Sequence, residues 1–359
     1  MIAESFELHE PTSLQEALHL AHDFPGKFRY LAGGTDILPG LFRGLGSAPH
    51  LISLEGVPEL RAFDPEHGVV GASTWLSTLE RDPILAARFP ALAQAAHNVA
   101  SPSIRNSATL GGNLLLDTRC IFYNQSQFWR ESNGYCLKFQ GTECQVVPKG
   151  AKCYAVYSGD LAPALLALGA VVEIAGPRRR RQVPLGTLFP ASGDGREPYR
   201  LGPEEILVSI GLPHSNLGSA YAKLRARGMP DFPEAAASVA LHATDQRLDY
   251  FRIALSGVGS RPVVLDELTE PYLGHPLPEA DISKISQEVR RWVHPVANTH
   301  LLSDYRQHAT SHLVRTQLER LWNAAKESTS GSPSPPSSSP GAPSKKSSRP
   351  PRISGFGKR

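Results

Sequence analysis

Apolar positions along this chain switch repeatedly between helical and strand-like spacing, and the switches fall at turn or capping residues. Pro11-Thr12-Ser13 opens a first helix, with Ser13 and Glu16 at capping-box spacing. Leu14, Ala17, Leu18 and Ala21 then share one face until Pro25-Gly26 stops it. A short apolar strand, Tyr30-Leu31-Ala32, runs straight into Gly33-Gly34-Thr35-Asp36, and a second strand is expected at 50–54. A strand follows at 68–73, then a helix opened by Asp82-Pro83 and carrying Leu85, Phe89, Leu92 and Ala96. Further on the pattern gives a helix at 161–168 and strands at 171–174 and 203–210. From about Ser219 a second unit begins. It is read as a strand (220–224), a small-residue helix (233–241), a strand (250–256) and two helices, 281–292 and 303–326. Gly257-Val258-Gly259 lacks the third glycine of a dinucleotide fingerprint and reads as a turn.

Composition adjusts this picture at the end of the chain. Beyond Lys326 the sequence turns to Ser, Pro and Gly, with seven prolines from Pro333 to Pro351, and a disordered tail is expected over 327–359. That tail holds six basic residues and one acidic one, so the net charge of +3 leaves residues 1–326 near −2. A near-neutral folded part gives no electrostatic reason to expect nucleic acid. No apolar run approaches the roughly 20 residues that span a bilayer, and no signal peptide is evident, so the chain reads as cytoplasmic with no membrane association. Four arginines at 178–181 sit between two strand-like runs and read as a solvated hairpin tip.

Chemistry concentrates between Ser103 and Leu168, where all four cysteines lie: Cys120, Cys136, Cys144 and Cys153. In a cytoplasmic setting, clustered thiols point to metal or redox work rather than to disulfides. Their spacing, C-x15-C-x7-C-x8-C, is neither the tight run of bacterial ferredoxins nor the paired pattern of structural zinc. Spacing alone leaves zinc, an iron–sulfur cluster, and disulfides or free thiols open. Tyr123, Phe128, Trp129 and Tyr135 interleave with the thiols and are expected to pack a loop that has no other core. Two Gly-Gly pairs, at 33–34 and 111–112, could aim backbone amides at a pyrophosphate or could be ordinary turns.

Three motifs in register, LAGGTDILPG (31–40), SIRNSATLGGN (103–113) and GDLAPALLALGA (159–170), resemble the flavin-binding subunits of the molybdenum hydroxylases. The resemblance covers nearly all of residues 1–326. It implies an α+β fold: a two-subdomain FAD-binding domain of the vanillyl-alcohol-oxidase type over 1–215, and a smaller C-terminal α/β flavoprotein domain over 216–326. By motif, Leu31, Ala32, Gly33, Gly34, Thr35, Asp36, Ile37 and Leu38 would cradle the FAD pyrophosphate. Thr109, Leu110, Gly111, Gly112 and Asn113 would form the second phosphate-side loop. Asp160 would bind FAD toward the adenosine or ribose, its plainer alternative being the N-cap of the helix that follows. By the same resemblance, Val99 would be a further FAD-contact position, and Lys223 would lie toward the flavin side.

One departure narrows the resemblance. The stretch 114–159 is roughly forty residues longer than the family needs between its second and third motifs. This insertion is similar to that of the 4-hydroxybenzoyl-CoA reductase β subunits, and the branch implies a [4Fe–4S] cluster on the four cysteines. It also implies a large molybdopterin-binding subunit, a small [2Fe–2S] subunit, a dimer of such heterotrimers and ferredoxin as electron donor, with no catalytic residue on this chain. Two alternatives stay open: a xanthine- or aldehyde-type dehydrogenase subunit passing electrons outward, and a zinc-stapled binding protein whose glycine loops are only turns.

Overall fold

The computed structural model describes residues 5–213, 216–228 and 230–330, the last three without their side chains. Three sheets follow one another along the chain. β1 (Glu7–His9), β2 (Phe28–Leu31) and β3 (His50–Ser53) form a parallel sheet in the order β1-β3-β2. The second sheet holds β4 (Phe63–Asp64), β5 (Val69–Gly71), β6 (Val171–Ala175), β7 (Arg180–Pro184) and β8 (Ile206–Gly211), in the order β4-β5-β8-β6-β7. The third is an antiparallel meander of β9 (Gly218–Leu224), β10 (Ala235–Thr244), β11 (Arg247–Ser256) and β12 (Val263–Val264).

Helices fill the intervals: α1 (Leu14–Asp23), α2 (Ile37–Phe42), α3 (Leu76–Arg81), α4 (Pro83–Arg88), α5 (Pro90–Asn98), α6 (Pro102–Arg105), α7 (Leu110–Leu114), α8 (Gln127–Ser132), α9 (Leu161–Ala167), α10 (Asp266–Thr269), α11 (Glu279–Trp292) and α12 (Ser303–Ser330). Local signals explain many of their ends. Ser13 accepts from the Glu16 amide at the start of α1, and Glu16 reaches back to the Thr12 amide at 2.8 Å. Asp82 caps α4 through the Leu85 amide at 2.7 Å. The single helix expected after Asp82 is instead two, broken where Phe89 leaves helical geometry ahead of Pro90.

The largest discrepancy lies in 233–241, read as a small-residue helix and found as the central strand β10. Its alanines from Ala235 to Ala240 are buried on both faces, against β9 and β11 within the sheet and against α9 and α12 on either side. A run buried on both faces has no alternation to betray it, so helical and strand readings cannot be told apart by period. At the other end, α12 runs past Lys326 to Ser330, and the remainder of the expected tail lies outside the described residues.

Two hydrophobic cores dominate. One gathers α3, α5, α7 and α9 with the second sheet, and also takes Tyr221, Ala236, Ala240 and Ala254 from the third. The other lies between the third sheet and helices α11 and α12. α9 is apolar throughout and wholly buried between the two sheets, which is why its sequence shows no polar stripe. No helix among the described residues is long and apolar enough to cross a membrane.

Candidate functional site

The first glycine loop leaves β2 and enters α2. Gly33 packs so closely on the Ser107 carbonyl that a Cβ would sit 1.8 Å from its oxygen, and Gly34 takes the left-handed conformation with φ of 69°. Among the described residues, the backbone N–H groups from Gly33 to Ile37 find no acceptor. Consecutive unpaired amides on a sharply curved backbone are the chemistry that holds a phosphate.

The second loop is built differently. It docks beside the first, through the contact of Gly33 with Ser107 and Ala108, so the structure brings the two motifs together. Its amides, however, are committed inside the protein. Leu110 donates to Thr74, Gly111 to Ala72, Gly112 to the Thr109 hydroxyl and Asn113 to the Thr109 carbonyl. The Asn113 side chain is committed as well, since its Oδ1 accepts from the Leu161 amide at 3.0 Å and so caps α9. Asp160, which sequence also suggested as that cap, occupies the position without making the bond. The cap comes from the preceding motif instead.

Asp160 is buried and meets Lys223, another expected contact, with Nζ to Oδ1 at 2.8 Å. The Tyr221 hydroxyl donates to the same carboxylate at 2.5 Å. Burial pushes the Asp160 carboxyl up, and Lys223 and Tyr221 pull against that shift. These three side chains therefore join α9 to β9. Val99, at the end of α5, is buried, and its carbonyl accepts from Arg105 at 2.8 Å. Arg105 is itself held by Glu80 through two bonds, 2.7 and 3.0 Å. Sequence reading passed over Arg105 although it lies within SIRNSATLGGN; a lone cation inside a run of small residues was the available signal.

The insert places Cys120, Cys136, Cys144 and Cys153 around one pocket, all four buried and none in a disulfide. Phe122, Tyr123, Leu137, Val146 and Ala155 complete its apolar walls. Around Cys136 the chain turns back on itself, with Tyr135 and Gln140 both at positive φ. Gly141 is required there, since a Cβ would lie 2.7 Å from the Cys136 nitrogen. Burial pushes the Cys120 thiol up to about 11, and the neighbouring sulfurs of Cys153 and Cys136 push the same way. Thiolates gathered this closely repel one another, and a positive centre between them offsets that repulsion. This donor set fits a metal or cluster.

Of the interleaved aromatics, Tyr123 is buried, Trp129 approaches Phe122, and Tyr135 approaches Phe139. Phe128 does not pack: it is 80% exposed, because it sits on the outer face of α8. Charged residues do what it does not. Arg130 is buried and donates to the carbonyls of Arg43 and Gly44 at 2.9 Å each, just past α2. Arg119 pairs with Asp36 at 2.9 Å and lies over the Phe232 ring. The insert is thus fastened to the first glycine loop. The run at 178–181 forms a β6–β7 hairpin whose Arg180 and Arg181 are taken up by Glu59 and Glu205.

An α+β scaffold with a free-amide loop at the junction of strand and helix is suited to a phosphate-bearing cofactor. The model of the FAD binding domain in molybdopterin dehydrogenase matches residues 4–215, and that of the CO dehydrogenase flavoprotein C-terminal domain matches residues 219–321. The chain belongs to the FAD-binding subunits of the molybdenum hydroxylase family. It is 27% identical to the carbon monoxide dehydrogenase medium chain of Hydrogenophaga pseudoflava, over 90% of this chain and 99% of that one. It is 25% identical to the xanthine dehydrogenase FAD-binding subunit of Escherichia coli O157:H7, over 90% of this chain and 97% of the other. The solved structure of the Hydrogenophaga pseudoflava carbon monoxide dehydrogenase superposes with a TM-score of 0.73 at 25% identity, covering 90% of this chain and 99% of that one.

Proposed function

We propose that this FAD subunit also carries a [4Fe–4S] cluster, on Cys120, Cys136, Cys144 and Cys153, and serves as the electron-transfer subunit of a 4-hydroxybenzoyl-CoA reductase-like molybdenum enzyme. The observation that carries the reading is the convergence of all four cysteines of the chain on one buried pocket within the insert. Their spacing supports a cluster over a single ion. Ligands of tetrahedral zinc at ~2.3 Å stand about 3.8 Å apart. Among the described residues, no three of these sulfurs lie within 4.8 Å of one another. A cluster that places each thiolate on a different iron spreads its ligands more widely.

A cluster supplies one-electron steps and FAD accepts or gives electrons in pairs, which is what a relay between unlike partners requires. The protein's own residues supply the rest. The amides of Gly33 to Ile37 bind and orient the pyrophosphate. Phe122, Tyr123, Val146 and Ala155 exclude water from the thiolates. The Ala155 amide donates to the Cys153 sulfur at 3.3 Å, a bond that stabilises negative charge there.

The chain has no further cysteines for [2Fe–2S] centres. In this reading a small [2Fe–2S] subunit and a large molybdopterin-binding subunit complete the relay. The assembly is a dimer of heterotrimers, ferredoxin donates the electrons, and the reaction is dehydroxylation of 4-hydroxybenzoyl-CoA to benzoyl-CoA. A second reading has electrons leaving through FAD to NAD or another acceptor. It is favoured by relatives whose names are carbon monoxide dehydrogenase medium chain, xanthine dehydrogenase FAD-binding subunit and aldehyde oxidoreductase FAD-binding subunit.

Quantitation of iron, sulfide, zinc and flavin on the purified chain tests the cofactor content. Four iron and four sulfide per FAD are expected, and Cys144→Ser is expected to lower iron while leaving flavin largely bound. Zinc without iron removes the cluster. Reoxidation of the reduced complex by 4-hydroxybenzoyl-CoA supports the first reading, and reduction by a purine or aldehyde in its place supports the second.

A further inference from the structure

The thiol pocket contains one buried ammonium. Lys138 lines the same cavity as the four cysteines, and its side chain is only 7% exposed. Its Nζ donates to Asp117 Oδ1 at 2.6 Å and to the carbonyls of Thr118 and Gly195 at 3.0 and 2.9 Å. It also lies 4.7 Å from the centre of the Tyr123 ring, whose hydroxyl donates to the other oxygen of Asp117 at 2.9 Å. So many fixed partners leave the ammonium no freedom to swing into solvent. Its charge therefore stands within the wall of the thiol pocket.

Asp117 does not itself line that pocket, and its amide donates to Asp36 of the first glycine loop at 3.4 Å. The cation of the pair is thus part of the pocket wall, and its counter-charge meets it from outside that wall. Buried charges act strongly because little solvent screens them. Adding an electron to a centre ringed by four thiolates adds negative charge there, and a neighbouring cation makes that addition easier.

We infer that Lys138 is the positioning residue that sets the reduction potential of the centre held by the four cysteines, with Asp117 as its fixed counter-charge. The inference rests on the cluster reading above. It assigns the two residues opposite effects. Lys138→Met removes the positive end and lowers the midpoint potential; Lys138→Arg keeps the charge and most of the wild-type value. Asp117→Asn removes the opposing charge and raises the potential.

The test is a reductive titration of the purified complex, followed by electron paramagnetic resonance, for wild type and the three variants. At a fixed poise, Lys138→Met is expected to change the reduced-to-oxidised ratio about tenfold, ~59 mV for a one-electron couple, with Asp117→Asn shifting in the opposite direction. A merely structural role would move both variants the same way. Iron-replete variants with an unmoved potential, or with shifts of one sign, overturn the inference. A wild-type chain without iron overturns the cluster reading itself. Should Lys138→Met fail to assemble, the sign of the Asp117→Asn shift still decides.

Discussion

At the residue scale, several side chains turn out to hold others in place. Glu80 is the clearest. Burial pushes its carboxyl up, but hydrogen bonds from Arg105 and His97 outweigh that and hold it below the usual range. Arg105, fixed in this way, grips the carbonyls of Val99 and Ala100, the latter at a positive φ of 42°. A carboxyl with a depressed folded pKa contributes stability that is complete above its unfolded value and is lost as pH falls through the folded one. The stability difference between wild type and Glu80→Gln should therefore be largest near neutrality and shrink as pH drops below about 4, the range in which a free glutamate takes up its proton. Denaturant unfolding of both proteins at a series of pH values measures it, and a difference independent of pH would show that the ion pair contributes nothing. Gly33 illustrates a different constraint. Its role here is close approach to the Ser107 carbonyl, a requirement set by a partner 74 positions away and invisible in the local sequence.

At the element scale, the three motifs act as one unit because each terminates or supports another. α9 begins at Leu161, yet its cap is Asn113, delivered by α7 from the far side of the insert. Tyr157 adds to the same junction, its hydroxyl donating to the Leu114 carbonyl at 3.0 Å. Asn113→Ala removes a buried cap and is expected to destabilise the protein by about 1–2 kcal/mol. Urea unfolding reads that loss, and Asn113→Asp, which keeps an acceptor at the same place, should recover part of it. A loss no greater than that of an exposed Asn→Ala would remove Asn113 from this role. The insert obeys the same logic. It has little core of its own and is secured by Arg130 to the end of α2 and by Arg119 to Asp36.

At the scale of the molecule, the C-terminal unit packs against the insert. Gly257 and Gly259, read from sequence as a turn, exchange two backbone bonds with Tyr157 at the end of the insert, 3.0 and 2.9 Å. The Asn298 backbone carbonyl accepts from the Ile121 amide at 3.0 Å, while its side chain donates to the Tyr154 carbonyl and accepts at Oδ1 from Arg306 of α12, which is fully buried. Both ends of the insert thus converge on one asparagine in the neighbouring unit. Asn298→Ala is expected to cost about 1–3 kcal/mol through the partners it leaves unsatisfied. It should also quicken limited proteolysis within 114–159 relative to the rest of the chain. Cleavage rates unchanged throughout would show that the insert does not depend on this clasp.

How much of this was legible in the sequence follows from the range of each interaction. Capping at Ser13 and Asp82, the strand feeding Gly33, the turn at Gly257 and the confinement of every thiol to one window are local facts, fixed by residues a few positions apart. The motifs in register were enough to imply the flavin-binding class, because backbone that must approach a phosphate tolerates few residue types. Other features depend on partners distant in sequence. Burial on both faces made 235–244 a strand, the second glycine loop spends its amides on Ala72 and Thr74, and Lys138 keeps its charge in the wall of the thiol pocket only because Asp117, Thr118 and Gly195 hold it there. The sequence by itself determined which groups this protein has to work with. Tertiary structure decided which of them remain free to act, because burial and pairing depend on what the rest of the chain brings alongside.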